Sequence, residues 1–350
     1  MSALDTRICD LFGVKYPIVQ TGMGWVAGAR LTAATSAAGG LGILASATMT
    51  LPQLRHAIGA VRDRTDNPFG VNMRTDQPDI GDRLTLLERE GVKVASFAQA
   101  PSKDVIKRLK DSGIVTMPTI GARRHAEKMA EWGVDAVIAQ GAEGGGHTGA
   151  VPTTLLIPQA VDAVDIPVLA AGGFTDGRGL VAALAWGASG IAMGTRFLLT
   201  QESTVPDAVK EIYLGKAVTD TVVTKAIDGH PQRLIRTEFV DEIEKSSLAT
   251  RLPKAVKQAL TFRKLTGTSY KDLITEGLAM KKNQDLSWSQ LAMAANAPML
   301  IKAAMVDGHP EVGILPTGQG LGVIDDLPTV AELIERIIIE AEETLARLGS

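Results

Sequence analysis

The sequence predicts an α/β protein built as a (β/α)8 TIM barrel that carries an additional, mainly helical lid. Three observations predict it. Eight short apolar or β-branched runs occur in the first 200 residues, helical patterns alternate with them, and this rhythm stops after Phe197. Strands with no polar face, alternating with helices that have one, imply a parallel sheet covered by helices on the outside. Eight such units in about 200 residues meet the lower size limit of the barrel.

In order, the runs are PIVQ (17–20), GLGILAS (40–46), FGVNM (69–73), VKVASF (92–97), IVTMPTI (114–120), VDAVIAQ (134–140), IPVLAA (166–171) and SGIAMG (189–194). The segments between them include SKDVIKRLKDSG (102–113) and ARRHAEKMAEWG (122–133), with apolar residues at helical spacing, a charged outer face and a closing glycine. An open, doubly wound sheet uses the same alternation, because periodicity does not reveal strand order. It would call for a glycine fingerprint after the first strand; GMGWVA (22–27) meets only the relaxed form, with Ala27 third, and lacks the acidic residue about 20 positions on.

From about Ser203 to His309 the chain reads as helices joined by loops, including VPDAVKEIYLG and WSQLAMAANAPMLIKAAM, a stretch too long for a loop. Emerging from the eighth strand, it would sit at the C-terminal rim. The expected division is therefore a barrel from 1–203 and 311–350, and a lid over 204–310. The closing element is the amphipathic helix TVAELIERIIIEAEETLARLG, expected to pack back on the barrel.

Composition narrows the partners. A net charge of −3 gives no electrostatic reason to expect nucleic acid or an acidic membrane, so a small-molecule substrate is the expectation, with a homo-oligomer left open. With one cysteine, Cys9, the chain can make no internal disulfide or cysteine-based metal cage; no metal is expected, and Cys9 reads as an apolar helix residue. The first residues contain acidic side chains and no long apolar run, and no stretch reaches the roughly 20 apolar residues of a membrane span, so a cytoplasmic protein is expected.

The most informative segment is QGAEGGGHTG (140–149), which follows an apolar strand with five glycines around Gln140, Glu143 and His147. Gly144, Gly145 and Gly146 let the backbone approach a planar ligand closely and present the His147 imidazole over it. A histidine near its working pKa can remove a proton next to an activating group or protonate a developing enolate. In a barrel the loops after the seventh and eighth strands commonly bind phosphate through backbone N–H groups, and here they are AAGGFTDGRG (170–179) and AMGTRF (192–197). Gly172, Gly173, Gly194 and Thr195 could supply those donors.

These segments carry a resemblance. PIVQTGM, QGAEGGGHTG, LAAGGFTDGRG, AMGTRFLLTQES and the late GQG at 318–320 resemble the nitronate monooxygenase family of FMN-dependent TIM-barrel flavoproteins, over nearly the whole chain. The family pattern QGxEAGGHxG is matched apart from Gly144 in place of alanine, a departure expected only to enlarge backbone freedom. The resemblance implies FMN, with Gly22, Met23 and Gly24 bordering the isoalloxazine and Asn72 and Gln140 hydrogen-bonding its polar edge. It also implies Gly145 and Gly146 as cofactor-binding residues, Gly172, Gly173, Gly194 and Thr195 on the phosphate, and Gln319 reaching the same site. His147 would be the catalytic acid or base.

Other residues carry two readings. Glu143 either orients the loop or is an exposed turn residue, and Trp25 either covers the substrate side or packs the lid. Arg74, Arg123 and Arg124 either meet a phosphorylated substrate or are ordinary surface arginines. Asp176, Arg178 and Arg196 read as loop and rim salt bridges. His56 and His125 read as solvent-facing, and His230 and His309, each in GHP, as turn residues. The family often has arginine where this chain has His230, which puts any anion contact there in doubt.

Three activities stay open: nitronate oxidation; an NAD(P)H-linked reductase or dehydrogenase of a quinone or conjugated acyl-CoA (enoyl) thioester; and a non-catalytic flavin-binding protein. TGMGWVAGARL, GAEGGGHTG and WSQxxMAANxPML look most like an actinobacterial subgroup linked to breakdown of steroid-derived bicyclic acyl-CoA compounds.

Overall fold

The computed structural model describes residues 3–245 and 288–349. Its centre is a closed parallel barrel, and all eight expected strands are present: β1 (Ile18–Gln20), β2 (Leu41–Ala45), β3 (Phe69–Met73), β4 (Val94–Phe97), β5 (Val115–Ile120), β6 (Val137–Gln140), β8 (Val168–Ala171) and β9 (Gly190–Met193). Closure is made by β1 pairing with both β2 and β9, which excludes the open doubly wound sheet. The interruption in numbering is β7 (Gly146–His147), which lies outside the barrel.

The strands are buried on both faces, which is why their sequences lack alternation. Inward-facing Val19, Ile43, Val94, Met117, Ile138, Leu169 and Ala192 fill the lumen. Ile8 and Phe12, from the first helix (Arg7–Phe12), join the same cluster and plug the N-terminal end. Cys9 is buried on that helix, as expected of an apolar position.

Outside the barrel, several helices start where side-chain acceptors satisfy free amides. Thr50 and Gln53 form a capping box, while Ser102 and Asp176 accept from the Val105 and Gly179 amides. The C-terminal helix (Val330–Gly349) packs back as expected, burying Leu333, Ile334, Ile337 and Ile338. It crosses the helix Gly177–Ala185 so closely that a Cβ at Gly177 would lie 2.4 Å from the Ile337 carbonyl oxygen.

The stretch after Phe197 departs from the expected helices and loops. Helices Asp207–Leu214, Glu238–Lys245 and Trp288–Met305 are present, but so are two strands, β10 (Thr221–Thr224) and β11 (Gln232–Ile235). They form an antiparallel hairpin, and β11 also pairs with β7, placing Gln232 opposite His147 and Arg233 opposite Gly146. Thr148 N–H donates to the Pro231 carbonyl, and Trp25 Nε1–H to the Pro298 carbonyl, so this stretch contacts the loops that follow β6 and β1. Residues 246–287 of the expected lid lie outside the described residues. No helix among the described residues is long and apolar enough to cross a membrane.

Candidate functional site

The loop leaving β6 is shaped by contacts that exclude side chains. Gly144 N–H donates to the Gly141 carbonyl, closing a tight turn. A Cβ at Gly144 would lie 2.6 Å from Gln140 Nε2, so this glycine does more than enlarge backbone freedom: it gives the Gln140 side chain its place. That carboxamide donates to the His147 carbonyl at 2.8 Å, spending one N–H on the loop itself. A Cβ at Gly145 would meet the Thr317–Gly318 peptide at 2.5 Å, and Gly146 turns the chain at φ +64°.

Glu143 is a loop-orienting residue. Its carboxylate accepts from Thr153 N–H at 2.9 Å and Thr153 Oγ1 at 2.7 Å, and its carbonyl accepts from the Gln319 amide at 2.9 Å. The Arg233 guanidinium, buried behind the loop, donates to the Ala142 carbonyl at 2.9 Å and to Thr221 at 2.8 Å. These bonds fix the backbone that leads into the glycine run.

His147 is presented outward, its side chain 64 % exposed, and its Nε2 lies 2.7 Å from Asp228 Oδ2. Asp228 is itself only 9 % exposed. It also accepts from the Gln232 carboxamide and, through Oδ1, from the His230 amide at 3.0 Å. Gln232 Nε2 stands 3.2 Å from His147 Nε2, and the His230 ring meets the His147 ring edge-on at a centroid distance of 5.9 Å. Burial pushes the Asp228 carboxyl up, but the hydrogen bond and charge of His147, helped by the His230 amide and ring, hold it below the ordinary aspartate value.

Asp228 and Gln232 were not singled out in the sequence. Asp228 stands directly before the GHP turn, 81 residues from His147, and only the β7–β11 pairing brings them together. His230 is a turn residue as expected, and it faces His147 as well.

The remaining cofactor candidates gather around the same barrel mouth. A Cβ on Gly22 would stand 2.3 Å from Asn72 Cβ, and one on Gly194 would stand 3.4 Å from Met23 Sδ. Gly24 borders Thr48, and Asn72 Nδ2 donates to Ser96 Oγ at 3.0 Å. Gly172 and Gly173 both have positive φ, +103° and +82°, and Thr153 Oγ1 lies 3.0 Å from the Gly172 carbonyl oxygen. Thr195 Oγ1 accepts from the Gly318 amide at 2.9 Å, which ties the late GQG segment to the loop after β9. The loops after β1, β3, β6, β8 and β9 thus meet with residues 318–320 in one rim.

The substrate candidates are more scattered. Trp25 is half-buried, and it is the only non-glycine with positive φ among the described residues, at +67°. Arg74 pairs with Asp76, Arg123 pairs with Glu127, and Arg124 Nε lies 3.5 Å from His125 Nε2. None of the three touches the His147 cluster among the described residues. Arg196 is buried in an ion pair with Asp326, and Arg178 pairs with Asp176, as expected of rim salt bridges. His56 and His125 are exposed, also as expected.

The arrangement can exchange a proton at an exposed imidazole backed by a buried carboxylate, beside a glycine-lined surface. A family model described as nitronate monooxygenase matches residues 5–340. The chain is 55 % identical over 350 residues to the (3aS,4S,5R,7aS)-5-hydroxy-7a-methyl-1-oxo-octahydro-1H-indene-4-carboxyl-CoA dehydrogenase of Rhodococcus jostii (strain RHA1), covering 100 % of this chain and 99 % of that one. It is 57 % identical over 341 residues to the protein of the same name from Mycobacterium tuberculosis (strain ATCC 25618 / H37Rv), covering 97 % and 96 %. Among solved structures, FabK from Thermotoga maritima superposes with a TM-score of 0.80 at 36 % identity, covering 98 % of each chain.

Proposed function

This chain belongs to the nitronate monooxygenase family and is an enzyme of the oxidoreductase type, and from that premise we propose that it is an FMN-dependent dehydrogenase of a bicyclic hydroxyacyl-CoA thioester. The observation that carries the reading is the end-to-end similarity to two relatives named for that activity. Of the activities open from sequence, the thioester dehydrogenase moves ahead of nitronate oxidation for this reason.

The site residues fit an FMN. In the rim, side chains added at Gly22, Gly145 and Gly172 would collide with their neighbours, and Gly172 and Gly173 hold conformations that L side chains rarely adopt. Gly172, Gly173, Gly194 and Thr195 would hold the phosphate. Gly22, Met23, Gly24, Asn72, Gln140, Gly145 and Gly146 would border the ring, with Gln319 at its edge. When bound, FMN supplies the acceptor for a hydride equivalent.

In the relatives' named substrate the hydroxyl-bearing ring carbon adjoins the carbon that carries the thioester. Removing two hydrogens from such a ring takes a hydride and a proton, and His147 receives the proton. Asp228 balances the charge that then appears on the imidazole. The described residues of the expected lid, 204–245 and 288–310, would act on the substrate side, with Trp25 anchoring the helix Trp288–Met305 to the loop after β1. Arg74, Arg123 and Arg124 would meet the coenzyme A phosphates, with Arg74 and Arg123 exchanging Asp76 and Glu127 for phosphate oxygens. A reducing cytoplasm suits a chain whose single cysteine is buried and unpaired.

The test is anaerobic. The purified yellow protein is mixed in turn with the hydroxyacyl-CoA, NADH, NADPH and a propyl nitronate. Bleaching of the flavin by the thioester is the expected result. Bleaching by the nitronate alone would restore the activity for which the family model is named, and bleaching by NADH or NADPH alone would make the protein a reductase. Extraction of FAD in place of FMN would overturn the cofactor.

A further inference from the structure

We propose that Asp228 is a positioning residue that fixes the tautomer of His147, so that Nδ1 is the nitrogen that exchanges the proton with substrate. This rests on the acid–base role of His147 given above, and it adds which nitrogen acts and what selects it. The argument begins with the 2.7 Å contact between His147 Nε2 and Asp228 Oδ2. An ionised carboxylate has no proton to give, so the nitrogen facing it must be the donor. In the neutral ring the other nitrogen, Nδ1, then holds the lone pair. Among the described residues the structure gives Nδ1 no partner, and the side chain is largely open to solvent.

Gln232 sharpens the choice. Its carboxamide N–H donates to the same Asp228 oxygen while standing 3.2 Å from His147 Nε2. Two donors therefore converge on one acceptor, and with its Nε2 protonated toward Asp228 the ring presents no lone pair there to the second Gln232 N–H. Without that charge, the Gln232 N–H is within reach of Nε2 and would favour the opposite tautomer, with the proton on Nδ1. The groups that face His147 are Asp228 and His230 from the turn, Gln232 from β11 and Gln140 from β6, and Asp228 is the only carboxylate among them. Gln140 touches only the His147 carbonyl, and the His230 ring makes an edge contact. Neither is hydrogen-bonded to a ring nitrogen of His147.

The experiment reads the tautomer directly, without substrate. Long-range 15N–1H spectra are recorded on the complete 15N-labelled protein, with His147→Gln used to assign its ring among the five histidines. The parent should show protonated Nε2 and lone-pair Nδ1 at high pH. Asp228→Asn, which preserves shape, should move the proton toward Nδ1, whereas Gln232→Leu, which keeps the carboxylate, should leave the tautomer as in the parent. With substrate, Asp228→Asn should lower kcat by about 10- to 100-fold and change KM by no more than about two-fold, since binding is intact and the base is misprotonated.

A parent ring protonated on Nδ1, or a tautomer indifferent to Asp228→Asn, would overturn the proposal. The parent spectrum decides even if the variant fails to fold. A parent with the expected tautomer that no thioester reduces would overturn the proposed activity instead, and leave the assignment of Asp228 standing.

Discussion

A methyl group added at position 22 has nowhere to go: it would stand 2.3 Å from Asn72 Cβ and 2.9 Å from Asn72 Cγ. Gly22→Ala is therefore expected to destabilise the protein by about 1–3 kcal/mol through overpacking, measured by urea unfolding. Stability equal to the parent's would mean the loop after β1 gives way freely. At position 194 the added group would press on Thr21 Oγ1 and Met23 Sδ at 3.3–3.4 Å, so Gly194→Leu should weaken FMN binding. Fluorescence titration of the stripped protein checks this, and unchanged affinity would move the phosphate elsewhere. His147→Ala should keep its flavin and lose turnover of a neutral substrate by roughly 10²-fold or more, the scale of a positioned acid or base. A pre-ionised nitronate should suffer far less, since its proton is already gone; equal loss with both would make the imidazole an electrostatic element. The glycines and His147 were legible in the sequence because their chemistry is local. Asp228 was not, because a carboxylate 81 residues away becomes a partner only through strand pairing.

The strands differ in how plainly they show. β2 is a five-residue apolar run bounded by helix signals, and burial on both faces makes such a run stand out. β7 has only Gly146 and His147, and β10 and β11 have four residues each, in a stretch otherwise rich in helical spacing. Their pairing is non-local, so no window of sequence contains it. The same sheet explains why an exposed histidine on a glycine-rich turn can be held in place: it lies on an edge strand paired with the hairpin, beside Arg233, which clamps the loop. Trp25 is a second clamp, whose left-handed backbone is tolerated while its indole donates to the Pro298 carbonyl at 3.1 Å. Trp25→Phe should remove about 0.5–1.5 kcal/mol of attachment for the helix Trp288–Met305. Hydrogen exchange reads it as faster exchange in residues 299–305, and unchanged exchange there would show the helix is held by other contacts.

At the scale of the molecule, Asp326 joins Arg196, in the short helix Thr195–Leu198 that follows β9, to Arg336 on the C-terminal helix. Burial raises its carboxyl pKa, but the two guanidinium partners outweigh this and leave it below the ordinary value. A depressed folded-state pKa means the stabilisation is present above the unfolded-state value, about 3.9, and is lost as pH falls through the folded one. Melting temperature should therefore decline as pH is lowered below about 4, and Asp326→Asn should flatten that decline; an identical slope in the variant would remove Asp326 from the account. The contact of Gly318 with Thr195 and of Gln319 with Glu143 has a consequence in time. A ribosome releases this chain from its N-terminus, and every barrel strand leaves the exit tunnel well before residues 318–320. A nascent chain can thus assemble its sheet while the rim still lacks its last wall, and completion of the proposed flavin site waits on the synthesis of residues 318–320.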